Sequence, residues 1–518
     1  MQDWTPFLPR HVRELYDPRG GAALGETKMA RREFAVVAMA DISGYSKLTK
    51  TLASRGDDGY EGAESLTKII NPYLQFMVDI VEKSGGDVIK FIGDAILMSW
   101  KLQGSPEETV ASACWGCMRL IERLGDHQVE IPGEETKYLL SMHIGLAVGE
   151  AFDVHVGTQQ RMEYFLAGKA VKEAVLLVNV AHMKEIAISG AALKYLQDFK
   201  KKTGIEVDVT GRTGGIILTK FEVPTDTTGT GVTYNFSSRN TAASGTEKSV
   251  YPIYQRYINE SVVSRLLANP AAEFEKLTFL NELRKVSVLF VKIHDINVHS
   301  TESLGDMQST MEVVQGVLKV FCFPSLFCCH LALHLCISSK DYDGTLRQMV
   351  IDDKGATILS VFGLPPMSHE NNSIFAVRAA LKLQSLLRHL VTFSIGLTSG
   401  TVFTGIIGSR KRCDHTILGE PVNLAARMMC SPLTANGGIL CDVATQKATK
   451  DEIEFFKEEP QQFFKNSDPI DCFTVSKQKN IPRIQHSGGA LVRYFILLSP
   501  FLFYFIDFFI FSPSQTPH

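Results

Sequence analysis

Apolar residues recur along this chain with two periods, and the periods alternate in a fixed order. Residues 34–41, FAVVAMAD, form an apolar run that ends on Asp41 and predicts a buried strand. After ISGYSKLT, the segment ESLTKIINPYLQFMVDIVEKSGG places Leu66, Ile69, Ile70, Tyr73, Leu74, Met77, Val78 and Val81 at helical spacing. That helix is expected to stop at Gly85-Gly86, with Pro72 as a candidate kink. Residues 87–100, DVIKFIGDAILMSW, are apolar almost throughout and broken by Gly93-Asp94, which predicts a hairpin. A helix over ETVASACWGCMRLIERLG and a strand over YLLSMHIGLAVGEAF follow. The segment EYFLAGKAVKEAVLLVNVAHM and short strands near residue 220 close the series.

The same order returns from residue 283. LRKVSVLFVKIHD matches the first strand, GTLRQMVIDDKGATILSVFGLP (344–365) the hairpin, and HENNSIFAVRAALKLQSLL the helix after it. VTFSIGLTSGTVFTGIIG matches the long strand, and HTILGEPVNLAARMM (415–429) matches YFLAGKAVKEAVLLV. A repeat this long means a duplicated domain rather than a solenoid. The expected fold class is α+β, with two ferredoxin-like domains related by a pseudo-two-fold axis inside one chain. The expected layout is an extension (1–30), a first domain (31–222), a linker (223–282) rich in Thr, Ser and Gly over 224–249, a second domain (283–476) and a tail (477–518).

Composition narrows the function classes. A chain of 518 residues exceeds one core. A net charge of −3 and a pI near 6.5 give no electrostatic case for nucleic acid. The opening MQDWTPFLPRHVRELYDPRGG has no apolar core of a secretory signal. Ten cysteines, mostly scattered, fit a reducing compartment, so a cytoplasmic location is expected. Cys114 and Cys117 form a C-x-x-C inside a predicted helix; with no second Cys/His pair nearby, packing is preferred to zinc or redox chemistry.

Two runs stand apart. VFCFPSLFCCHLALHLCISS (320–339), within an insertion at 320–341, and YFILLSPFLFYFIDFFIF (494–511) carry the Phe/Leu/Ser/Cys bias of a translated pyrimidine-rich intron. The second is also just long enough to span a bilayer, so a C-terminal membrane anchor is the alternative, against which Asp507 and Ser499-Pro500 weigh. Sequencing the transcript across both junctions separates these readings.

A Gly-Asp turn needs no function by itself. In a ferredoxin-like sheet, however, the first strand and the hairpin are neighbours, so Asp41 and Asp94 converge. Two bare carboxylates repel unless a cation lies between them, and Mg²⁺ is typically held by one or two carboxylates plus substrate phosphates. Ile42-Ser43-Gly44-Tyr45 offers backbone N–H groups to phosphate at a helix start. Copy two has Lys292 in place of Asp41, although Asp352-Asp353 occupy its hairpin. It also carries Asn423 and Arg427, one helical turn apart, where copy one has Lys172 and Leu176. Each copy holds half a site.

The strand end DISGY, the hairpin IKFIGDAIL and the stretch TILGEPVNLAAR together resemble class III nucleotidyl cyclases, over roughly residues 30–475. Two unequal domains without membrane spans resemble the soluble, bicarbonate-responsive adenylyl cyclases of animals. The resemblance implies conversion of ATP to 3′,5′-cyclic AMP and pyrophosphate at one site between the domains, with no protein partner required. It implies two Mg²⁺ or Mn²⁺ ions, with Ca²⁺ a further candidate, on Asp41, Asp94 and the carbonyl of Ile42. Ser43, Gly44, Tyr45 and His143 would contact phosphate. Arg427 would stabilise transition-state charge and Asn423 would orient the ribose. Thr416 would contact adenine, as would Gln348, which stands in place of the family's lysine. The activator bicarbonate is implied at Lys90 and Val175. Val175 replaces an arginine, so a weak or absent response is expected. The alternative is a catalytically impaired pseudo-cyclase that binds nucleotide or anion, favoured if the 320–341 insertion disturbs closure. A membrane-tethered interaction protein is the third reading and rests on 494–511 alone.

Overall fold

Ahead of the repeat, Arg10–Leu15 form a short helix, α1, and the apolar run ending at Asp41 lies in strand β1 (Ala30–Ser43). The computed structural model describes residues 3–16, 30–53, 60–102, 104–131, 137–222, 251–268, 281–294, 296–297, 300–318, 342–352, 355–464 and 468–479. The insertion at 320–341, the Thr/Ser/Gly-rich stretch at 224–249, Asp353 and the run at 494–511 lie outside the described residues. Residues 35–40 of β1 are all buried, as a central strand covered on both faces requires.

Helices α2 (Tyr45–Ala53) and α3 (Tyr60–Lys83) follow, and Pro72 sits inside α3 without ending it. Strands β2 (Asp87–Ile92) and β3 (Ala95–Lys101) form the expected hairpin. Its two-residue turn is Gly93-Asp94, and Gly93 takes a φ of +64° that favours glycine. The domain continues through α4 (Pro106–Leu124), β4 (His127–Glu130), β5 (Lys137–Gly157), β6 (Met162–Ala167) and α5 (Lys169–Val178). It closes with β7 (Ile186–Ile188), α6 (Gly190–Thr203), β8 (Glu206–Arg212) and β9 (Gly215–Glu222). The sheet order is β2-β3-β1-β5-β7-β9-β8, with β4 and β6 paired to β5. Its first four strands are mutually antiparallel, in the order of a ferredoxin-like unit.

Within the stretch expected as linker, α7 (Tyr251–Gln255) and α8 (Glu260–Ala268) are helical and bury Tyr254, Val262 and Leu266. The N-terminal extension likewise buries Trp4, Leu8 and Val12. The second domain then repeats the first: β10 (Glu282–Ile293), α9 (Thr301–Leu318), β11 (Thr345–Asp352), β12 (Gly355–Phe362), α10 (Asn372–Leu387), β13 (Phe393–Gly408), β14 (Cys413–Leu418) and α11 (Glu420–Met429). After these come β15 (Ile439–Asp442), α12 (Val443–Thr449), β16 (Ile453–Lys457) and β17 (Cys472–Gln478). Its sheet runs β11-β12-β10-β13-β15-β17-β16, the same order as the first, with β14 on β13. Even the β-bulge is duplicated, between Val88 and Lys90 in one hairpin and between Leu346 and Gln348 in the other. Lys90 and Gln348 are therefore equivalent positions, opposite Leu97 and Leu359.

The two copies exchange core residues. Phe403, Ile407 and Leu418 of β13 and β14 belong to the core of the first domain. Their counterparts Phe152, Val156 and Ala167 of β5 and β6 belong to that of the second. This reciprocity is what a pseudo-two-fold relation produces. Polar rivets cross the same boundary. The Asn281 side chain donates to Thr67 Oγ1 at 2.9 Å and accepts from Ile406 N at 2.8 Å. Arg412, 3% exposed, donates to the carbonyls of Val88, Ile89, Phe7 and Cys413 and to the Tyr164 hydroxyl. The described residues up to Lys477 form one compact unit. Among the described residues no helix is long and apolar enough to cross a membrane.

Cys114 and Cys117 lie on the buried face of α4, and burial pushes the Cys117 thiol up to about 12 and raises that of Cys114 as well. Thiolate is the reactive form, so both are expected to resist iodoacetamide in the native chain, whereas the exposed Cys430 is labelled. Peptide mapping before and after denaturation checks this; native labelling of Cys117 would revive the redox reading.

Candidate active site

Strand β1 delivers Asp41 at its end, in register with Ala95 on one side and His143 on the other. One residue on, the amide of Ile42 donates to the carbonyl of Asp94 at 3.0 Å and pins the hairpin turn to the strand end. Gly44 must then turn the chain into α2. Its φ is +89°, and a Cβ there would stand 2.3 Å from the carbonyl oxygen of Leu139. Tyr45, which opens α2, is buried, and its hydroxyl has no hydrogen-bond partner among the described residues. Burial, with the Asp94 charge adding to it, pushes its phenol well above the usual range.

His143 Nε2 lies 3.6 Å from the Asp41 carboxylate. Burial, reinforced by His182, nevertheless pulls the imidazole below its ordinary value, so the ring is neutral at pH 7. It can offer phosphate a hydrogen bond, not a full charge. The candidate donors carried by this strand end and its turn are two carboxylates and the carbonyl of Ile42, an all-oxygen set of the kind that suits a hard divalent ion. Among the described residues no group of three His, Cys, Asp or Glu side chains is placed to hold a metal. Any ion at Asp41 and Asp94 therefore needs further oxygens from its substrate, as Mg²⁺ sites commonly do.

The complementary residues sit on the second domain. Asn423 and Arg427 share one face of α11, the first half-buried and the second exposed. Arg427 Nη1 donates to the Phe463 carbonyl at 2.7 Å, and its guanidinium lies 4.6 Å from the Phe464 ring centre. It is thus engaged by the 463–464 segment rather than by either carboxylate. Thr416 is buried on β14, and Gln348 is buried with its Oε1 unpartnered among the described residues. Across a cavity of about 310 Å³, Thr49 of α2 faces Glu420 and Leu424 of α11. The helix that starts at the Asp41 loop therefore confronts the helix that carries Asn423 and Arg427. In the mirror-image position Lys292 pairs with Thr357 and Ser394, and Lys172 and Leu176 of α5 are exposed.

Lys90 is buried between the domains. Its ammonium donates to Glu163 Oε2 at 3.1 Å and to the carbonyls of Tyr164 and Met349 at 2.8 Å each, so its three protons are taken. Burial pulls it below the usual lysine range, against the opposing pull of Glu163. Val175 is buried and apolar. Glu163 and Arg412 were not singled out by the sequence pattern. A signal for them does exist, because Arg161-Met162-Glu163 and Arg412-Cys413-Asp414 are the same Arg-x-acid spacing at the same place in both copies.

The family described as "Adenylate and Guanylate cyclase catalytic domain" matches residues 28–222. Adenylate cyclase type 10 of Oryctolagus cuniculus is 26% identical over 455 residues, which cover 83% of this chain and 26% of that protein. The Homo sapiens protein of the same name is 25% identical over 456 residues, with 83% and 26% covered. The chain thus spans about a quarter of the length of these relatives. Among solved structures, a class III adenylyl cyclase-like ATP-binding protein from Pseudomonas aeruginosa is similar over 82% of this chain and 88% of its own, at 13% identity and a TM-score of 0.48. The adenylyl cyclase CyaB from P. aeruginosa covers 39% of this chain and 97% of its own, at 19% identity and a TM-score of 0.31. Residues 28–222 thus match the adenylate and guanylate cyclase catalytic domain family, and over 83% of its length the chain is similar to adenylate cyclase type 10.

Proposed function

We propose that the chain is an adenylyl cyclase that converts ATP to 3′,5′-cyclic AMP and pyrophosphate at a single site between its domains. The observation that supports this reading is the bond from Ile42 N to the Asp94 carbonyl, which ties the turn bearing a second acidic residue to the strand end that bears Asp41. Asp41, Asp94 and the Ile42 carbonyl would hold Mg²⁺ or Mn²⁺. Such ions, when bound, polarise phosphate oxygens and ease deprotonation of the ribose 3′-hydroxyl. The 3′-oxygen then bonds to the α-phosphorus as the bond to the bridging oxygen of pyrophosphate breaks. Backbone amides of Ser43, Gly44 and Tyr45 and the neutral ring of His143 orient the phosphates, Asn423 orients the ribose, and Arg427 meets the developing charge. The Oε1 of Gln348, unpartnered among the described residues, suits the amino group of adenine, an acceptor for a donor, with Thr416 beside the base. The reading places the enzyme in the cytoplasm, with the 494–511 run as the alternative anchor.

A second reading, a nucleotide-binding module without turnover, is favoured by the engagement of Arg427 with Phe463 and Phe464. Purified full-length chain with ATP or GTP and Mg²⁺ or Mn²⁺ separates the two. Cyclic AMP is the expected product, with ATP preferred over GTP. Bicarbonate is expected to leave the rate unchanged, because Lys90 has no proton to spare and Val175 offers none. A folded chain that binds ATP but forms no cyclic nucleotide with either ion would establish the second reading.

A further inference from the structure

The buried carboxylate of Glu163 joins both domains. Oε2 accepts from Lys90 Nζ at 3.1 Å and from the backbone amide of Met349 at 3.2 Å, while Oε1 takes the Arg161 guanidinium. Lys90 closes the ring by donating to the Met349 carbonyl. Of these groups, Lys90 lies four residues before Asp94 on the β2 hairpin, and Met349 follows Gln348 on β11. One carboxylate therefore fixes the hairpin that bears a candidate metal ligand against the strand that bears the candidate base contact.

Beside it lies a small cavity of about 20 Å³, lined among others by Lys90, Arg161, Arg347, Asp414 and His415. Its charges are uneven. Three cations face it, against the carboxylates of Glu163 and of Asp414, which lies 3.4 Å from Arg347. The Nε groups of Arg161 and Arg347 are buried without hydrogen-bond partners among the described residues. Remove Glu163 and three buried cations face one carboxylate, an arrangement that demands an anion.

We propose that Glu163 is a built-in anion: a positioning residue whose carboxylate holds the two domains in register, at a place that a small diffusible carboxylate fills when Glu163 is truncated. The proposal rests on the cyclase reading for its activity arm only, because closure of the domains can be read without turnover. It also explains why Lys90 has nothing left to offer a free anion. The ligand class expected at the vacated place is planar, singly charged and no larger than formate or bicarbonate.

The test compares full-length parent, Glu163→Ala and Glu163→Gln by melting temperature and by cyclic AMP formation, each in sodium formate, sodium bicarbonate or sodium chloride at equal ionic strength. Glu163→Ala in chloride is expected to melt about 5 °C lower and to turn over at least roughly ten-fold slower. Formate, and bicarbonate to a similar extent, should restore most of both losses, through binding to the folded state alone. Glu163→Gln fills the space with a neutral amide, so it should show the losses without rescue. A purely structural side chain would show no selectivity between formate and chloride. Parental behaviour of Glu163→Gln would overturn the proposal, as would losses in Glu163→Ala that no carboxylate repairs. If Glu163→Ala does not fold, Glu163→Gln decides. If the parent forms no cyclic nucleotide, the cyclase reading fails and the melting arm alone judges this one.

Discussion

Asp94→Asn is expected to cut cyclic AMP formation on the order of 10³-fold, about 4 kcal/mol of transition-state stabilisation, while the chain melts within a degree or two of the parent. The turn itself should survive because what ties it to β1 is the Asp94 carbonyl, which the substitution leaves in place, accepting from Ile42 N. Asn keeps the size of Asp and removes the charge that a divalent ion needs, so loss without unfolding isolates the electrostatic role. The measurement is initial rate against Mn²⁺ concentration, beside thermal unfolding of both proteins. If the variant keeps the parental rate at saturating Mn²⁺, Asp94 is only a turn residue and the cyclase reading loses its principal support. Partial recovery at high Mn²⁺ would instead strengthen it, since Asp41 and the Ile42 carbonyl would still bind an ion weakly.

The second large effect is structural. Arg412→Ala is expected to destabilise the chain by about 3–5 kcal/mol, because it takes a donor from several buried carbonyls and opens a cavity. The carbonyls of Val88 and Ile89, each bonded at 2.9 Å, belong to the hairpin of the other domain, and that of Phe7 belongs to the N-terminal segment. The loss should therefore appear in two observables, a fall in melting temperature of roughly 6–10 °C and easier proteolysis ahead of Tyr16. Arg412→Lys should recover only part of it, since an ammonium cannot reproduce a planar fork that serves several carbonyls. A melting point within 2 °C of the parent for Arg412→Ala would mean that apolar exchange between the domains holds them without this rivet.

Much of this was legible in the residues alone, for identifiable reasons. Period-2 and period-3.6 patterns are local, so β1, α3 and the hairpin, and the repeats of β1 and of the hairpin, could be placed from sequence, and the duplication showed where the copies differ, Asp41 against Lys292 and Asn423 against Lys172. Pro72 failed to interrupt α3 because the helix is held by packing along Leu66, Ile70, Tyr73 and Leu74. What was not legible depends on partners far apart in the chain. Tyr254 and Val262 sit next to a polar Thr/Ser/Gly-rich stretch and are buried only against other elements. The N-terminal segment, short and with no periodic pattern, is fixed by contacts such as that of His11 with Asp153 at 3.3 Å. Lys90 and Glu163, single charges inside apolar strands, look like interruptions until they are seen to pair with each other and with the backbone of Met349 in the other domain.

The exchange of Phe152 with Phe403, and of Val156 with Ile407, between the two cores also bears on how such a chain changes over generations. A duplicated pair is usually free to diverge because one copy covers for the other. Here neither copy has a complete interior, so a substitution at one corner is judged by the packing of the other domain. The candidate catalytic groups could be divided between the halves, with Asp41 on one side and Asn423 on the other, while the buried corners stayed matched. Separating the halves onto two genes would demand that both be made together, since each alone would carry a bare apolar corner into solution.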